Sequence, residues 1–403
     1  MIKYAMNRRA LLAGFLLGSP SRAVAQTNPR WTSQGDSFMQ KARETFDLSY
    51  YGRAEGAYRK ALAINPKDAD ALAGMAWVQS GRREFEQSIE WANQALAVEP
   101  KRPGVYGLLG DAAVEMGDYE SAFEHYQTML DMRPDIASYS RGAHVLFLTG
   151  NIKKATLLMM NAIESGGPYI ENTAWCRAEL ALMQFAEGSY LSASQVVAEG
   201  IGKAPDNFHL LAAMGKVKAG MKDFPAAIAA YEKARAIVPH HDVVVALGDI
   251  YSLQGEKAKA NSNYDLVPEI HKRNRANGVA GNMPMVQFQT DHDINLVEAL
   301  KMAETEYKTR PNVYMADTLA WCYYKNGRIK EALKYSLKAV RVKTPEALFL
   351  YHKGLIEAKS GEIANARTSL YQALSLSPNF HPLAAPGAVR AVQELGSRGT
   401  LNE

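Results

Sequence analysis

Proline recurs along this chain at an interval that leaves little choice of architecture. Pro66, Pro100, Pro134 and Pro168 stand 34 residues apart, Pro205 and Pro239 repeat the interval, Pro311 and Pro345 repeat it again, and Pro378 follows 33 later. A proline cannot continue a helix, because it lacks the amide proton and its ring meets the preceding turn. A fixed period of this length therefore writes the chain in helical units that stack as a solenoid.

A second ladder runs inside the units. Small residues stand seven before a turn residue that is usually glycine: Gly74 and Gly81, Gly110 and Gly117, Ala143 and Gly150, Ala181 and Gly188, Gly215 and Lys222, Gly248 and Gly255, Ala320 and Gly327, Gly354 and Gly361. Alanine follows most of these turns by five residues, at Ala122, Ala155, Ala193, Ala227, Ala260, Ala332 and Ala366. Small side chains let two antiparallel helices approach closely, and glycine permits the tight reversal between them. In the second unit seven residues separate Gly81 from Ser88, which predicts a two-residue bulge in that turn.

With these positions in place the chain resembles the tetratricopeptide repeat proteins. The third unit is the clearest copy, with Tyr106, Leu109-Gly110, Gly117-Asp118-Tyr119, Ala122, Tyr126 and Pro134 at the family's spacing. Similar sets are Met214-Gly215, Phe224, Ala227, Tyr231 and Ala234; Leu247-Gly248, Tyr251, Gly255 and Ala260; and Leu319-Ala320, Tyr323, Gly327, Ala332 and Ala339. The resemblance implies an all-α fold, an α-solenoid of stacked antiparallel helix pairs. The segment FHPLAAPGAVRAVQELG after Pro378 is read as a connector and a C-terminal capping helix that shields the last unit.

The divisions expected are 1–25 as a signal peptide, 26–267 as an N-terminal array of about seven repeats, 268–293 as a degenerate repeat or a loop, 294–380 as a C-terminal block, and 381–403 as capping helix and tail. The first unit keeps Ala54, Tyr58, Ala61 and Pro66 but has an irregular first helix. The C-terminal block also resembles the ends of exported bacterial repeat proteins.

The signal-peptide reading rests on a basic segment, MIKYAMNRR, a short apolar one, ALLAGFLLG, and the small-x-small site Ala23-Val24-Ala25 before Gln26. About nine apolar residues cannot cross a bilayer core that takes roughly 20, so no transmembrane anchor is expected after signal removal. Arg8-Arg9 also resembles a twin-arginine signal. The expected location is the periplasm, with an organelle lumen reached by a transit peptide as the alternative.

Lys3, Arg8, Arg9 and Arg22 precede any acid; removing these four from the 46 basic residues leaves 42, equal to the 42 acidic residues. A nucleic-acid protein concentrates positive charge to displace counterions, and none is expected as a partner. Cys176 and Cys322 are the only cysteines and read as buried, unpaired helix residues.

No catalytic, cofactor or metal site is expected. Glu120, Glu124 and His125 read as a solvated helix surface, Asp291-His292-Asp293 as the N-cap of the helix that follows, and His240-His241 as turn filler. No nucleophile elbow, phosphate loop or HExxH zinc helix is present.

Function is expected on the concave side, lined by the first helix of each pair. Counting back ten, six and three from the turn residue gives Ser140, His144 and Phe147 in the fourth unit, Leu182 and Phe185 in the fifth, Asp317, Trp321 and Tyr324 before Gly327, and Tyr351, Leu355 and Ala358 in the last. The candidate groove is His144, Phe147, Phe185, Asp317, Trp321, Tyr324 and Tyr351. Some members of the family hold acidic peptide C-termini with a lysine and an asparagine; here the equivalent places are Gly107 and Asp111, then Ser140 and His144, so that clamp is missing. The reading is a non-enzymatic scaffold or adaptor for a protein or peptide partner. The alternatives are a polysaccharide- or polymer-binding protein of an envelope export system and an organelle-targeted assembly factor.

Overall fold

A computed structural model describes residues 29–167 and 170–399. The signal-peptide segment 1–25 and Pro168 lie outside the described residues.

The described chain runs as α1 (Pro29–Thr45) with α2 (Ser49–Ile64), α3 (Ala69–Gly81) with α4 (Phe85–Val98), α5 (Pro103–Glu115) with α6 (Tyr119–Met132), α7 (Ile136–Leu148) with α8 (Ile152–Ser165), α9 (Ile170–Ala186) with α10 (Tyr190–Lys203), and α11 (Phe208–Gly220) with α12 (Phe224–Ile237). It continues as α13 (His241–Leu253) with the short α14 (Lys257–Tyr264), then α15 (Leu266–Ala276). The remaining pairs are α16 (Met283–Asp291) with α17 (Leu296–Thr309), α18 (Val313–Lys325) with α19 (Ile329–Ala339), and α20 (Ala347–Ser360) with α21 (Ile363–Leu376), followed by α22 (Ala384–Gly399). Residues 268–293 thus hold most of α15 and all of α16. Phe380, Ala385, Ala388 and Leu395 bury α22 against Ala366, Leu370 and Ala373 of α21, closing the last pair.

The small-residue ladder has a steric cause. A Cβ on Gly110 would lie 2.3 Å from the Tyr126 ring, one on Gly215 2.5 Å from Tyr231, and one on Gly248 2.2 Å from Tyr264. In these three pairs the tyrosine of the second helix thus enters a slot that glycine leaves open. In two of these pairs the neighbouring acid anchors the ring: Tyr126 donates to Asp111 at 2.8 Å and Tyr264 to Asp249 at 2.9 Å. The first unit follows the same design. α1 is a regular helix rather than an irregular one, with Gly35 against Tyr58 and the phenol donating to Asp36.

Two local expectations are corrected. No bulge extends the second turn: Arg83, at φ +64°, occupies the left-handed position that Gly117 holds in the next unit, 34 residues on, and Ser88 follows it by the usual five. Gly81 simply ends α3. Asp291-His292-Asp293 is not an N-cap, because α16 runs through Asp291 and α17 begins only at Leu296. The triplet lies in the turn between them, where Asp291 accepts from the Trp321 indole at 2.9 Å and Asp293 pairs with Lys325 at 2.8 Å.

The solenoid winds tightly enough for its C-terminal half to meet its N-terminal half. The last carbonyls of five successive first helices receive donors from that half: Arg82 from the Ala280 amide, Glu115 from Asn312 Nδ2, Leu148 from Thr344 Oγ1, Phe185 from Ser377 Oγ, and Gly220 from Asn379 Nδ2. The middle three span 192 to 197 residues of chain. Helix C-termini leave carbonyls without intrahelical partners, and here the next superhelical turn supplies them.

Glycine in these turns therefore meets two demands. Gly150 and Gly327 both sit at positive φ, +76° and +75°. A Cβ on Gly150 would lie 2.7 Å from the Lys343 carbonyl, whereas one on Gly327 meets nothing within 4 Å. Gly327→Ala is expected to cost about 1 kcal/mol, the left-handed penalty alone. Gly150→Ala is expected to cost about 2–4 kcal/mol, because the contact between turns must also give. Urea unfolding of the two variants measures the difference, and equal losses contradict the inter-turn contact.

Candidate binding lumen

Closure of the winding narrows the concave groove into a half-open lumen with two lobes. The first, about 610 Å³, is walled by α7, α9 and the end of α1; the second, about 540 Å³, by α9, α11, α13, α16 and the connector that leads into α22. Phe46, Trp175, Glu179 and His209 line both and form the waist between them. Phe46 reaches that position from the α1–α2 turn, where φ is +56°, and packs edge-on against Phe208 at 4.8 Å.

One arithmetic rule generates most of what α7, α9, α11 and α13 contribute to the wall. Positions 13, 10, 9 and 6 before the turn residue are Ala137, Ser140, Arg141 and His144 on α7; Trp175, Ala178, Glu179 and Leu182 on α9; His209, Ala212, Ala213 and Lys216 on α11; and Asp242, Val245, Ala246 and Asp249 on α13. The face expected from sequence was ten, six and three. The lining stripe lies one turn nearer the helix N-termini because donors from the next superhelical turn cover the other end. Phe147 and Phe185, both three before their turns, are buried; Phe147 packs between helices, whereas Phe185 also lines the second lobe.

The remaining candidates form a separate group beside the second lobe. Trp321 stacks between Tyr324, with centroids 4.8 Å apart, and His352, at 4.1 Å. Tyr351 tilts against Trp321 at 6.4 Å and against Phe380 at 5.9 Å. Asp317 is buried and bonds His352 Nδ1 at 2.9 Å. The structure thus brings Asp317, Trp321, Tyr324 and Tyr351 together and places His144 in the first lobe. His352, Trp175, Glu179, His209 and Lys216 escaped sequence reasoning; Trp175, Glu179 and His209 sit at offsets of 13 and 9, visible only once the covered end of the helices is known, whereas Lys216 sits at the offset of six in a unit whose groove face was not counted.

Charges in the lumen fall into two kinds. Arg141 holds Asp111 through Nε and Nη2, each at 2.9 Å, and Arg43 pairs with Glu171 at 2.8 Å. Asp249 accepts from Tyr264 and meets His292 Nε2 at 3.0 Å; against the opposing effect of burial, that bond holds the His292 imidazole above its usual pKa. Glu179 has no such partner. Burial pushes its carboxyl up to about 7, with Lys216 offsetting part of the effect. Burial likewise lowers His209 to about 4, so that imidazole is neutral near pH 7.

Glu120 and Glu124 are exposed on α6, on the opposite side of the pair from this wall. His240 is the N-cap of α13, accepting from the Asp242 amide, and with His241 it lines the second lobe. Cys176 and Cys322 are free and buried. Among the described residues no group of three or more His, Cys, Asp or Glu side chains is placed to hold a metal ion, and no helix is long and apolar enough to cross a membrane.

The raised Glu179 fixes a pH dependence. Its folded pKa lies above the unfolded value, so ionisation opposes folding: the penalty is absent below about pH 4.5, grows to about pH 7 and is complete above it. Glu179→Gln is expected to match the parent chain at pH 4 and to exceed it by about 1–3 kcal/mol at pH 8. Denaturant titrations at the two pH values check this, and a variant less stable at pH 8 contradicts it.

Three family profiles described as tetratricopeptide repeat match residues 50–112, 103–136 and 318–379. The small glutamine-rich tetratricopeptide repeat-containing protein 2 of Mycosarcoma maydis is 26% identical over 110 residues, 27% of this chain and 31% of that one. The protein of the same name from Saccharomyces cerevisiae is 31% identical over 88 residues, 22% of this chain and 25% of that one. The chain thus spans less than a third of the length of these curated relatives. Among solved structures, human IFIT1 in a dimer with m7Gppp-AAAA superposes with TM-score 0.49 at 15% identity, covering 73% of this chain and 68% of that one. A tetratricopeptide repeat protein from Parabacteroides merdae gives 0.44 at 17%, covering 62% and 100%. Scores and identities this low carry no ligand or role across. The repeated profile matches, on helix pairs that include the glycine–tyrosine slots described above, show that this chain carries tetratricopeptide repeats.

Proposed function

We propose that the chain is a non-enzymatic scaffold that takes a segment of a protein or peptide partner into its lumen. The observation that carries this reading is the lining stripe itself. Four consecutive first helices present Trp175, Leu182, His209, Lys216 and their equivalents to a half-open space that packing between the helices does not require.

The dimensions suit a short segment. A helical residue with its side chain occupies about 120–170 Å³, taking a cylinder 10–12 Å wide and a rise of 1.5 Å. Lobes of about 610 and 540 Å³ therefore hold about four residues each. Aromatic rings at the waist supply rigid contact area, and the interleaved carboxylates and imidazoles offer hydrogen-bonding partners to a peptide backbone.

The export proposal rests on the order of MIKYAMNRR, ALLAGFLLG and Ala23-Val24-Ala25. It places the mature chain, beginning at Gln26, in the periplasm.

A photo-crosslinking residue at Leu182 tests the lumen assignment in the native compartment. The expected result is a discrete crosslinked partner that is lost in Trp175→Ala, with helix content retained, and kept in Glu120→Ala/Glu124→Ala. Crosslinking that survives Trp175→Ala overturns the assignment. N-terminal sequencing of the fractionated protein tests export: Gln26 in the periplasmic fraction supports it, and an intact Met1 in the cytoplasm contradicts it.

A further inference from the structure

Charge inside the lumen is not a sample of the chain as a whole. Beyond residue 25 the sequence carries equal numbers of acidic and basic residues. The two lobes are lined by six carboxylates, Asp111, Glu171, Glu179, Asp242, Asp249 and Asp291, against Arg43, Arg141 and Lys216 as the cations. Both arginines are already committed to carboxylates, to Glu171 and Asp111 respectively. Lys216 instead rests its ammonium 5.3 Å from the centroid of the Phe185 ring.

Four carboxylates, Glu179, Asp242, Asp249 and Asp291, therefore face the half-open space with no lysine or arginine in contact among the described residues. Imidazole offsets only part of the excess near neutral pH. His209 is neutral there, and His381, which approaches Asp249 at 3.5 Å, is also lowered by burial. His240 and His241 approach Asp242, and His292 offsets one charge at Asp249. At the waist, the Trp175 and Phe46 rings share the lining with Glu179, so one position combines aromatic rings, which attract cations, with a carboxylate that has no lysine or arginine in contact among the described residues. Burial of an unpaired carboxylate is costly and is relieved when a cation arrives.

Resting on the scaffold reading, we infer that the lumen selects a peptide segment carrying arginine or lysine, whose cationic side chain pairs with Glu179 at the waist. This charge preference is opposite to that of the lysine–asparagine clamp for acidic C-termini, whose positions here hold Gly107, Asp111, Ser140 and His144.

The probes are three acetylated, amidated octapeptides of alanine and leucine that differ at two central positions, occupied by arginine, glutamine or glutamate, with spermidine as a competitor. Binding to the full chain is measured by fluorescence anisotropy at pH 7.5 and low salt. The arginine peptide is expected to bind at least tenfold more tightly than the glutamate peptide, and Glu179→Gln/Asp242→Asn to remove at least tenfold of that affinity without loss of helix content. Because Glu179→Gln alone is expected to be the more stable protein at this pH, its weaker binding cannot be ascribed to unfolding. Equal affinities or a preference for glutamate overturn the charge inference and leave the lumen reading standing. Spermidine competing as strongly as the arginine peptide overturns the peptide occupant. Failure of all three peptides to bind overturns the lumen reading itself.

Discussion

Arg310 lies where two superhelical turns meet. Its guanidinium holds Glu306 of its own helix pair at 2.7 Å and Glu115 of the earlier turn at 2.5 Å, beneath the Phe85 ring, and only 5% of the side chain is exposed. Removing a cation from water is expensive, and the expense is recovered only when its hydrogen bonds are met in good geometry. Two carboxylates do that here. The same boundary carries Asn312, Thr344, Ser377 and Asn379, each donating to the end of a first helix, and Arg341 adds positive charge where the α5 dipole is negative by bonding the Gly117 carbonyl at 2.6 Å.

This boundary changes what kind of solenoid the chain forms. Stacked repeats ordinarily contact only their neighbours, and their concave face stays open along its length. Contacts between residues more than 190 apart instead narrow the concave face and bury the turn ends of the first helices. The position of the lining stripe and the desolvation of Glu179 follow from that closure. On an open groove the same carboxylate would be solvated and the same histidine would titrate near its ordinary value.

The helix pairs were legible in the sequence because their causes are local. Proline stops helices, glycine reverses the chain, and Gly110 beside Tyr126 reports a close approach within one unit. Arg83 and Lys222 show the limit of reading turns by glycine alone: both take positive φ without being glycine, and Arg83 displaced the apparent turn by two residues. The closure was not legible, because its donors look like ordinary capping and loop residues. Asn312, Thr344, Ser377 and Asn379 all flank the prolines that mark repeat ends, and that recurrence is the one sequence signal that could have exposed it. The aromatic group around Trp321 was found from helix phase, whereas His352 and Asp291 joined it from neighbouring helices that phase within one helix does not address.

The distance between the two turns tests the closure most directly. Lys153 and Lys343 are exposed on either side of the Gly150 contact, and both native cysteines are buried, so spin labels can be attached at Lys153→Cys and Lys343→Cys. Packed helices lie 8–10 Å apart, so closed turns place the labels within about 20 Å, whereas an open array separates them by several helix pairs, beyond about 40 Å. Electron–electron resonance distances in one narrow band below about 20 Å are the result expected of neighbouring packed helices. A distribution centred beyond about 40 Å, the reach of several stacked pairs, contradicts the closure.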